Sequence, residues 1–456
     1  MTTIASFHCT SVHQPHFTYH MPNKNIAIIG GGAAGCFAAI HIKTLCPTAD
    51  VTVYEGGSRL LAKVAITGGG RCNLTNSFNE VKSMETAYPR GARLMKRLMR
   101  QFDHHATCQW FEQAGVPLVT QDDQCVFPAS QDAMQIVHTL QQRMAKLQVK
   151  VKTGHRLRDI ENMGENYLLH FDNAHTTVAT LVLITTGGSS SKSLQMLAHL
   201  HLDIVTPVAS LFSFCLPQHP IRNLMGTVVN EVGASITGTK MRASGPLLIT
   251  HWGLSGPAIL KLSAYGAQYL HEHNYQADIA INWCGGRNAE EVAAELHKMA
   301  VDNPQKQLQN IYPTYFTNAL WVHLLDECKL RRDMRWAEMG RKGLNRLTET
   351  LTNHHFHING KNRFKDEFVT CGGVALSNVK ANTLECVKHP RLFFAGEVLD
   401  VDAITGGFNL QAAWTMGYVA AKSMGEEYAK LTKWGMETKK TKMACEISKR
   451  HIFHRF

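Results

Sequence analysis

The stretch Asn25-Ile-Ala-Ile-Ile-Gly30-Gly-Gly32-Ala33-Ala34-Gly35-Cys-Phe-Ala-Ala-Ile40 decides the fold. An apolar run leads into Gly-x-Gly-x-x-Gly and an Ala-rich run follows, the pattern of a strand, a tight turn and a helix. Each glycine answers a physical need. Gly30 allows the turn, Gly32 lets a pyrophosphate approach the backbone, and Gly35 lets helix and strand pack closely. Ala33 and Ala34 then open a helix whose first amides and positive dipole end attract that anion. Twenty residues beyond Gly35, Val51-Thr-Val-Tyr-Glu55 reads as a second strand ending in an acid that can hydrogen-bond ribose hydroxyls. Glu55 argues against a 2′-phosphate there. The pattern as a whole predicts a bound dinucleotide.

Which dinucleotide is decided farther along the chain. Thr67-Gly-Gly-Gly-Arg-Cys-Asn-Leu-Thr-Asn76 sets Gly69 and Gly70 before Arg71 and Asn73, a loop able to lie against phosphate and a flat ring. Leu181-Val-Leu-Ile-Thr-Thr186-Gly187-Gly188 reads as a buried strand that meets the cofactor through glycine. Arg391-Leu-Phe-Phe-Ala-Gly396-Glu397-Val-Leu-Asp400 repeats that pattern, with Glu397 and Asp400 expected to hold cofactor hydroxyls or phosphates. Thr405-Gly406-Gly407-Phe408-Asn409-Leu-Gln-Ala-Ala413 opens another helix on two glycines. A helix N-terminus so placed stabilises the anionic edge of a reduced flavin. The chain holds no second Gly-x-Gly-x-x-Gly, so it reads as a flavoprotein with one FAD and no separate nicotinamide-binding domain.

These motifs, together with Thr250-His-Trp-Gly-Leu-Ser-Gly-Pro257 and Cys371-Gly-Gly-Val374, resemble the BaiN-like flavoprotein family over about residues 24 to 425. That family includes reductases of conjugated bile-acid ketones, an aminoacetone oxidase and a ribosomal RNA dihydrouridine synthase. The resemblance implies fold and cofactor more strongly than substrate. Two departures stand out. Thr383-Leu-Glu-Cys-Val-Lys388 replaces the family's common Thr-Met-Glu-Ser-Lys-Lys, and Gly406-Gly-Phe408-Asn409 replaces Gly-Gly-Tyr-Asn, removing a phenol hydroxyl beside the expected flavin edge.

The motifs at 30–76, 181–188 and 395–413 must converge on one flavin, so about 180 intervening residues fold aside as an insertion. The expected class is α/β: a discontinuous Rossmann-type FAD-binding domain (23–190 and 371–429) carrying a β-rich insert (191–287) and a helical subdomain (288–370). Ala209–Leu216 and Val228–Ile236 are strand-like runs between Gly and Pro turns, while Ala289–Ala300 has helical periodicity. Ala133–Leu147 reads as an amphipathic helix. It leads to a strand pair whose backbone near Leu157 is expected to meet adenine. Residues 1–22, with His8, Cys9, His13, His16 and His20 in no metal-type spacing, are expected to be a disordered leader before the first strand.

Composition bounds the rest. The 456 residues are 44% apolar, enough for two or three cores. No apolar run approaches the roughly eighteen residues of a membrane span, and no secretory pattern opens the chain, so the cytoplasm is expected. Twelve cysteines without Cys-x-x-Cys spacing fit reduced, buried thiols and argue against a disulfide reductase. The formal net charge is +11, and the tail 430–456 holds eight Lys or Arg against Glu437 and Glu446. Its +6 leaves only +5 for the body. A basic tail of this kind is a solvated extension that can add attraction to phosphates.

The site is expected where the insertion faces the flavin, because ligand sites favour such junctions. The protein must place a substrate carbon for hydride transfer and supply or accept a proton. His251, an imidazole in the distinctive segment Thr250–Pro257, and Cys72, beside Arg71 and Asn73, are the candidate proton donors. Two function classes follow. One is a reductase that takes hydride from NAD(P)H as a transient donor and delivers it to an activated C=C bond, in a small enone or in a uracil of rRNA. The other is an amine oxidase that passes electrons to oxygen. A small molecule or rRNA is the expected substrate, with no membrane and no obligate protein partner.

Overall fold

The computed structural model describes residues 24–188, 193–361 and 369–453, with side chains described through residue 433. The expected leader lies outside the described residues. The backbone of the basic tail continues the last helix, Phe408–Phe453, and the tail's side chains beyond 433 are likewise outside them.

The fingerprint strand Asn25–Ile29 is the centre of a five-stranded parallel sheet, ordered 392–394, 181–184, 25–29, 50–54, 150–152. Its residues Ile26 to Ile29 and all of Leu181–Ile184 are buried, as expected for parallel strands covered on both faces. The helix Ala33–Leu45 returns across the sheet and packs along the last helix. Small residues permit that closeness. A Cβ on Gly35 would lie 2.0 Å from the Gly30 carbonyl oxygen, and one on Gly417 would lie 2.7 Å from that of Ala34.

The amphipathic helix Ala133–Lys146 is capped by the Asp132 side chain, which accepts from the Met134 amide. It buries Ile136, Val137, Leu140 and Met144. Lys150–Lys152 then joins the main sheet, whereas Leu157–Asn162 belongs to a separate three-stranded antiparallel sheet with Tyr167–Phe171 and Thr176–Ala179.

The inserted region is built on a six-stranded antiparallel sheet, ordered 214–215, 253–255, 242–250, 228–236, 276–282, 354–359. The helices Ala289–Asp302, Asn318–Glu327 and Gly340–Thr352 bury Val292, Leu296, Trp321 and Leu347 in the same core as Ile236, Trp283 and Phe356. Helices and strands expected as two units thus share one core. The strand His354–Asn359 alternates buried and exposed residues and pairs with Gln276–Asn282, although it falls in the stretch expected to be helical. Its apolar positions are only Phe356 and Ile358, and histidines obscure the period of two.

Where the run Ala209–Leu216 was expected to be one strand, the chain makes two. Ile204–Ser210 pairs with Val369–Val374, and Phe214–Cys215 joins the six-stranded sheet. Leu211, at φ +55°, is the break between them.

Candidate cofactor and active site

A cavity of ≈ 540 Å³ opens at the C-terminal ends of the parallel strands, the usual place for a ligand in such a sheet. The loop Gly30–Ala34 forms one side, with Thr185, Thr186 and Gly187 from the neighbouring strand end. Gly396 and Glu397 come from the next strand end, and Gly406, Gly407 and Asn409 from the start of the last helix. Glu55, Gly69 and Asn73 complete the set brought together by distant motifs.

The fingerprint glycines divide as their spacing implies. A Cβ on Gly30 would strike the Thr185 carbonyl oxygen at 2.3 Å, whereas one on Gly32 would meet nothing within 4 Å and would project into open space. No side chain caps the helix that starts after Gly32, so its first amides are left for an anion. Glu55 accepts from the Gly31 amide at 2.8 Å and from the Gly57 amide at 2.6 Å, which ties the loop to the acid at the end of the second strand.

A buried polar chain welds the other two motifs. The Thr75 hydroxyl donates to Gln411 Oε1 at 2.6 Å, Gln411 Nε2 donates to the Thr415 hydroxyl at 3.0 Å, and that hydroxyl donates to the Phe102 carbonyl at 2.9 Å. The Trp414 indole donates to the Leu74 carbonyl at 3.0 Å. With its amide turned to satisfy both neighbours, Asn73 donates to the Thr75 carbonyl and accepts from the Gly407 amide. Gly68 and Gly69 are left-handed, at φ +59° and +70°, which lets the Thr67–Gly70 turn present backbone to the cavity. Asn409 holds the Ala403 amide and carbonyl at 3.0 Å each and so shapes the turn into the last helix.

Several expected site residues lie outside this lining. Gly35 packs behind the loop. Leu157 is buried in the three-stranded sheet, because only Lys150–Lys152 of that stretch reaches the main sheet. Gly70 faces open space beyond the cavity, and Arg71 stacks on Phe127 at 4.5 Å. Asp400 is half-buried, with burial pushing its carboxyl up and its Oδ1 lacking a partner within the protein. Phe408 packs edge-on against Phe78 and Tyr88 and does not line the cavity, so an apolar ring suits the place where the family has a phenol.

Neither expected proton donor lines the cavity. His251 and Trp252 are the two residues of the tight turn between Arg242–Thr250 and Gly253–Ser255, because Thr250 pairs with Gly253. His251 is exposed there, and its carbonyl accepts from Arg222. Cys72 is fully buried at φ +61°, and burial pushes its thiol up to about 12.

The lining also contains residues that no motif announced. Arg59, Leu61 and Lys63 come from the segment after Glu55, and Lys63 pairs with Glu397 at 3.3 Å. Leu211 and Leu260 come from the insertion, joined by Val369, Val401 and Ile404. Ionisable side chains in the lining are therefore Glu55, Arg59, Lys63 and Glu397, and the face supplied by the insertion is apolar.

A dinucleotide fits these residues. Gly32 leaves an open cradle before uncapped helix amides, and the Thr186 hydroxyl, shielded from solvent, has no partner within the protein. Residues 24–423 match the family described as the HI0933-like protein Rossmann domain. The chain belongs to this family.

As an HI0933-like protein it is an FAD-dependent oxidoreductase, as the BaiN-like motifs implied. The 3-dehydro-bile acid Δ4,6-reductase of Clostridium scindens is 27% identical over 412 residues, covering 88% of this chain and 99% of its own length. The ribosomal RNA dihydrouridine synthases of Haemophilus influenzae and Escherichia coli K12 are 26% and 27% identical, each over 89% of this chain and 99% and 98% of their own lengths. A solved structure of the 3-ketosteroid-Δ4-(5α)-dehydrogenase of Rhodococcus jostii RHA1 aligns over 88% of this chain and 96% of its own at 15% identity, with a TM-score of 0.46.

Proposed function

We propose that this protein is an NAD(P)H-driven, FAD-dependent reductase of an activated carbon–carbon double bond, acting on a small, neutral, cyclic enone. The apolar face of the cavity carries this reading: Leu211, Leu260, Val369, Val401 and Ile404 offer dispersion and desolvation to a neutral ring and no partner to a charge. An ammonium would find no carboxylate on that face, which disfavours amine oxidation. A uracil in rRNA would have to leave its stack and enter the same apolar recess, and it would need polar groups there to read its edges. The bile-acid reductase among the relatives, acting on a conjugated ketone in name, accords with the enone reading.

Bound FAD would supply the hydride transfer. The chain's part is to bind, orient and exclude water. Gly32 and the uncapped helix start would hold the pyrophosphate, Glu55 the ribose side, and the Thr186 hydroxyl, Glu397 and the amide at Gly406 the remaining polar edge. The insertion would close the apolar face over the acceptor. The domain division that follows is an FAD-binding unit in two segments with one inserted unit of sheet and helices. The cytoplasm, where NAD(P)H is available, is the proposed place of action; no helix among the described residues is long and apolar enough to cross a membrane.

The test is anaerobic. The FAD-loaded protein is mixed with NADH or NADPH, and flavin bleaching is followed. Small cyclic enones, uridine-containing rRNA and primary amines are then offered. Reoxidation by the enone alone supports the proposal, whereas reoxidation by rRNA alone, or bleaching by an amine, overturns it.

A further inference from the structure

Arg90 and Asp402 meet in a buried, two-pronged ion pair far apart in sequence. Both Nε and Nη2 of Arg90 donate to the Asp402 carboxylate. The third prong, Nη1, donates to the Ala264 carbonyl at 2.7 Å, and Asp402 also accepts from the Ser210 hydroxyl at 2.9 Å. Asp402 is only 1% exposed. The pair thus ties two points of the insertion to the cofactor side of the molecule.

Each tied point adjoins a side chain of the cavity's apolar face. Ser210 precedes Leu211 and pairs with Val369 across the two-stranded sheet. Ala264 lies four residues, about one turn, after Leu260 in the helix Pro257–Tyr265. Asp402 follows Val401, against which Gly91 is pressed so closely that a Cβ there would lie 2.6 Å from Val401 Cγ2. Leu211 is clamped further, because the amide of Phe212 donates to the Ser263 hydroxyl at 3.0 Å. Its left-handed backbone is uncommon for a residue with a branched side chain and is held by these neighbours on both sides.

We propose that the Arg90–Asp402 pair is a positioning latch that sets Leu211, Leu260, Val369 and Val401 as one wall over the cavity, and that this wall determines which acceptors are admitted. A buried ion pair gains little net stability over an apolar replacement, so its directional fork is what it adds. Arginine suits this role because one rigid plane reaches the carboxylate and the Ala264 carbonyl together, which a lysine ammonium on a flexible stem does not reproduce. The inference rests on the reading that the acceptor enters this cavity.

The experiment uses the full-length, FAD-loaded protein and its variants Arg90→Lys, Leu260→Ala and the double substitution. KM and kcat are measured for 2-cyclohexen-1-one and for the fused-ring enone 4-androstene-3,17-dione. Arg90→Lys is expected to retain flavin and to change the ratio of the two KM values by roughly tenfold, the scale of one lost interaction, with kcat held. The double variant should shift the ratio no further than the larger single, because the latch acts through the wall. An unchanged ratio, or single effects that multiply independently, overturns the proposal. If Arg90→Lys fails to hold flavin, Ser210→Ala removes one partner of Asp402 with the same expectation. If the wild type reduces neither enone, the proposed reaction falls, and hydrogen exchange still decides the latch. Arg90→Lys should then speed exchange at 209–213 and 258–265 while leaving 228–236 unchanged, and equal rates throughout would count against it.

Discussion

The indole N–H of Trp283 donates to Nδ1 of His354 at 3.1 Å, in the buried core of the inserted sheet. His354 must therefore be neutral at Nδ1, because an imidazolium has no lone pair to accept with. His219 is bound in the same sense, its Nδ1 accepting from the Ile221 amide at 3.2 Å. His323 faces His219 from the helix Asn318–Glu327, with Glu327 and Asp326 on that helix and His355 beside His354. Burial, then the neighbouring histidines, lowers His354 to about 3; burial also lowers His219 and His323, opposed by Glu327.

This arrangement makes the insertion acid-sensitive. The unfolded chain takes up protons near the ordinary histidine value while the folded chain does not, so stability is complete above about pH 6.5 and falls as pH drops towards 3. His354 alone should account for about 2 kcal/mol of lost stability at pH 5 relative to pH 7.5. Urea unfolding at those two pH values checks this, and His354→Gln should flatten the dependence. A pH-independent midpoint would show that these histidines are not held neutral.

Two glycines of the fingerprint should behave differently when replaced by valine. Gly32→Val adds its branches to open space, so the apoprotein should stay folded and melt with the wild-type apoprotein, but it should purify colourless. Gly35→Val forces a Cβ to 2.0 Å from the Gly30 carbonyl oxygen and should lose the fold with the flavin. Circular dichroism and the visible flavin band separate the two outcomes.

Gln411→Leu breaks the chain from Thr75 to Thr415: the buried Thr75 hydroxyl loses its 2.6 Å acceptor, and the Thr415 hydroxyl keeps only its bond to the Phe102 carbonyl. It should lower stability by about 1–3 kcal/mol and weaken FAD binding, because the segment at 73–76 and the last helix lose the Thr75–Gln411 link and are left with the Asn73–Gly407 and Trp414–Leu74 bonds. Thermal melts and flavin titration report the two effects. Unchanged affinity would show that the turn is held from elsewhere.

His251→Asn and Cys72→Ser should both leave acceptor reduction without the roughly hundredfold slowing of a lost general acid, since neither side chain lines the cavity. Stopped-flow reoxidation with the enone decides this. Slowing on that scale in either variant would place that residue at the reacting atoms.

The sequence alone determined the parts of this protein whose causes are local or periodic. Unbroken apolar runs at 25–29 and 181–184 required buried parallel strands, and the glycine spacing at 30–35 required a tight turn against an open helix start. The loops at 67–76, 395–400 and 405–413 declared themselves by glycines, which at 69, 396, 406 and 407 take a positive φ that other residues rarely adopt, and residues of each loop line one cavity. Lys63, Leu211, Leu260 and Val401 carry no such mark, because an exposed lysine or an apolar residue in a strand or helix reads the same wherever it packs. Only the tertiary structure decided that Leu211 breaks the run 209–216, since that break comes from two sheets claiming neighbouring residues. The same structure set His251 in an exposed hairpin turn and Cys72 in the core: whether a titratable side chain faces a cavity depends on register and long-range packing, which residue type does not encode.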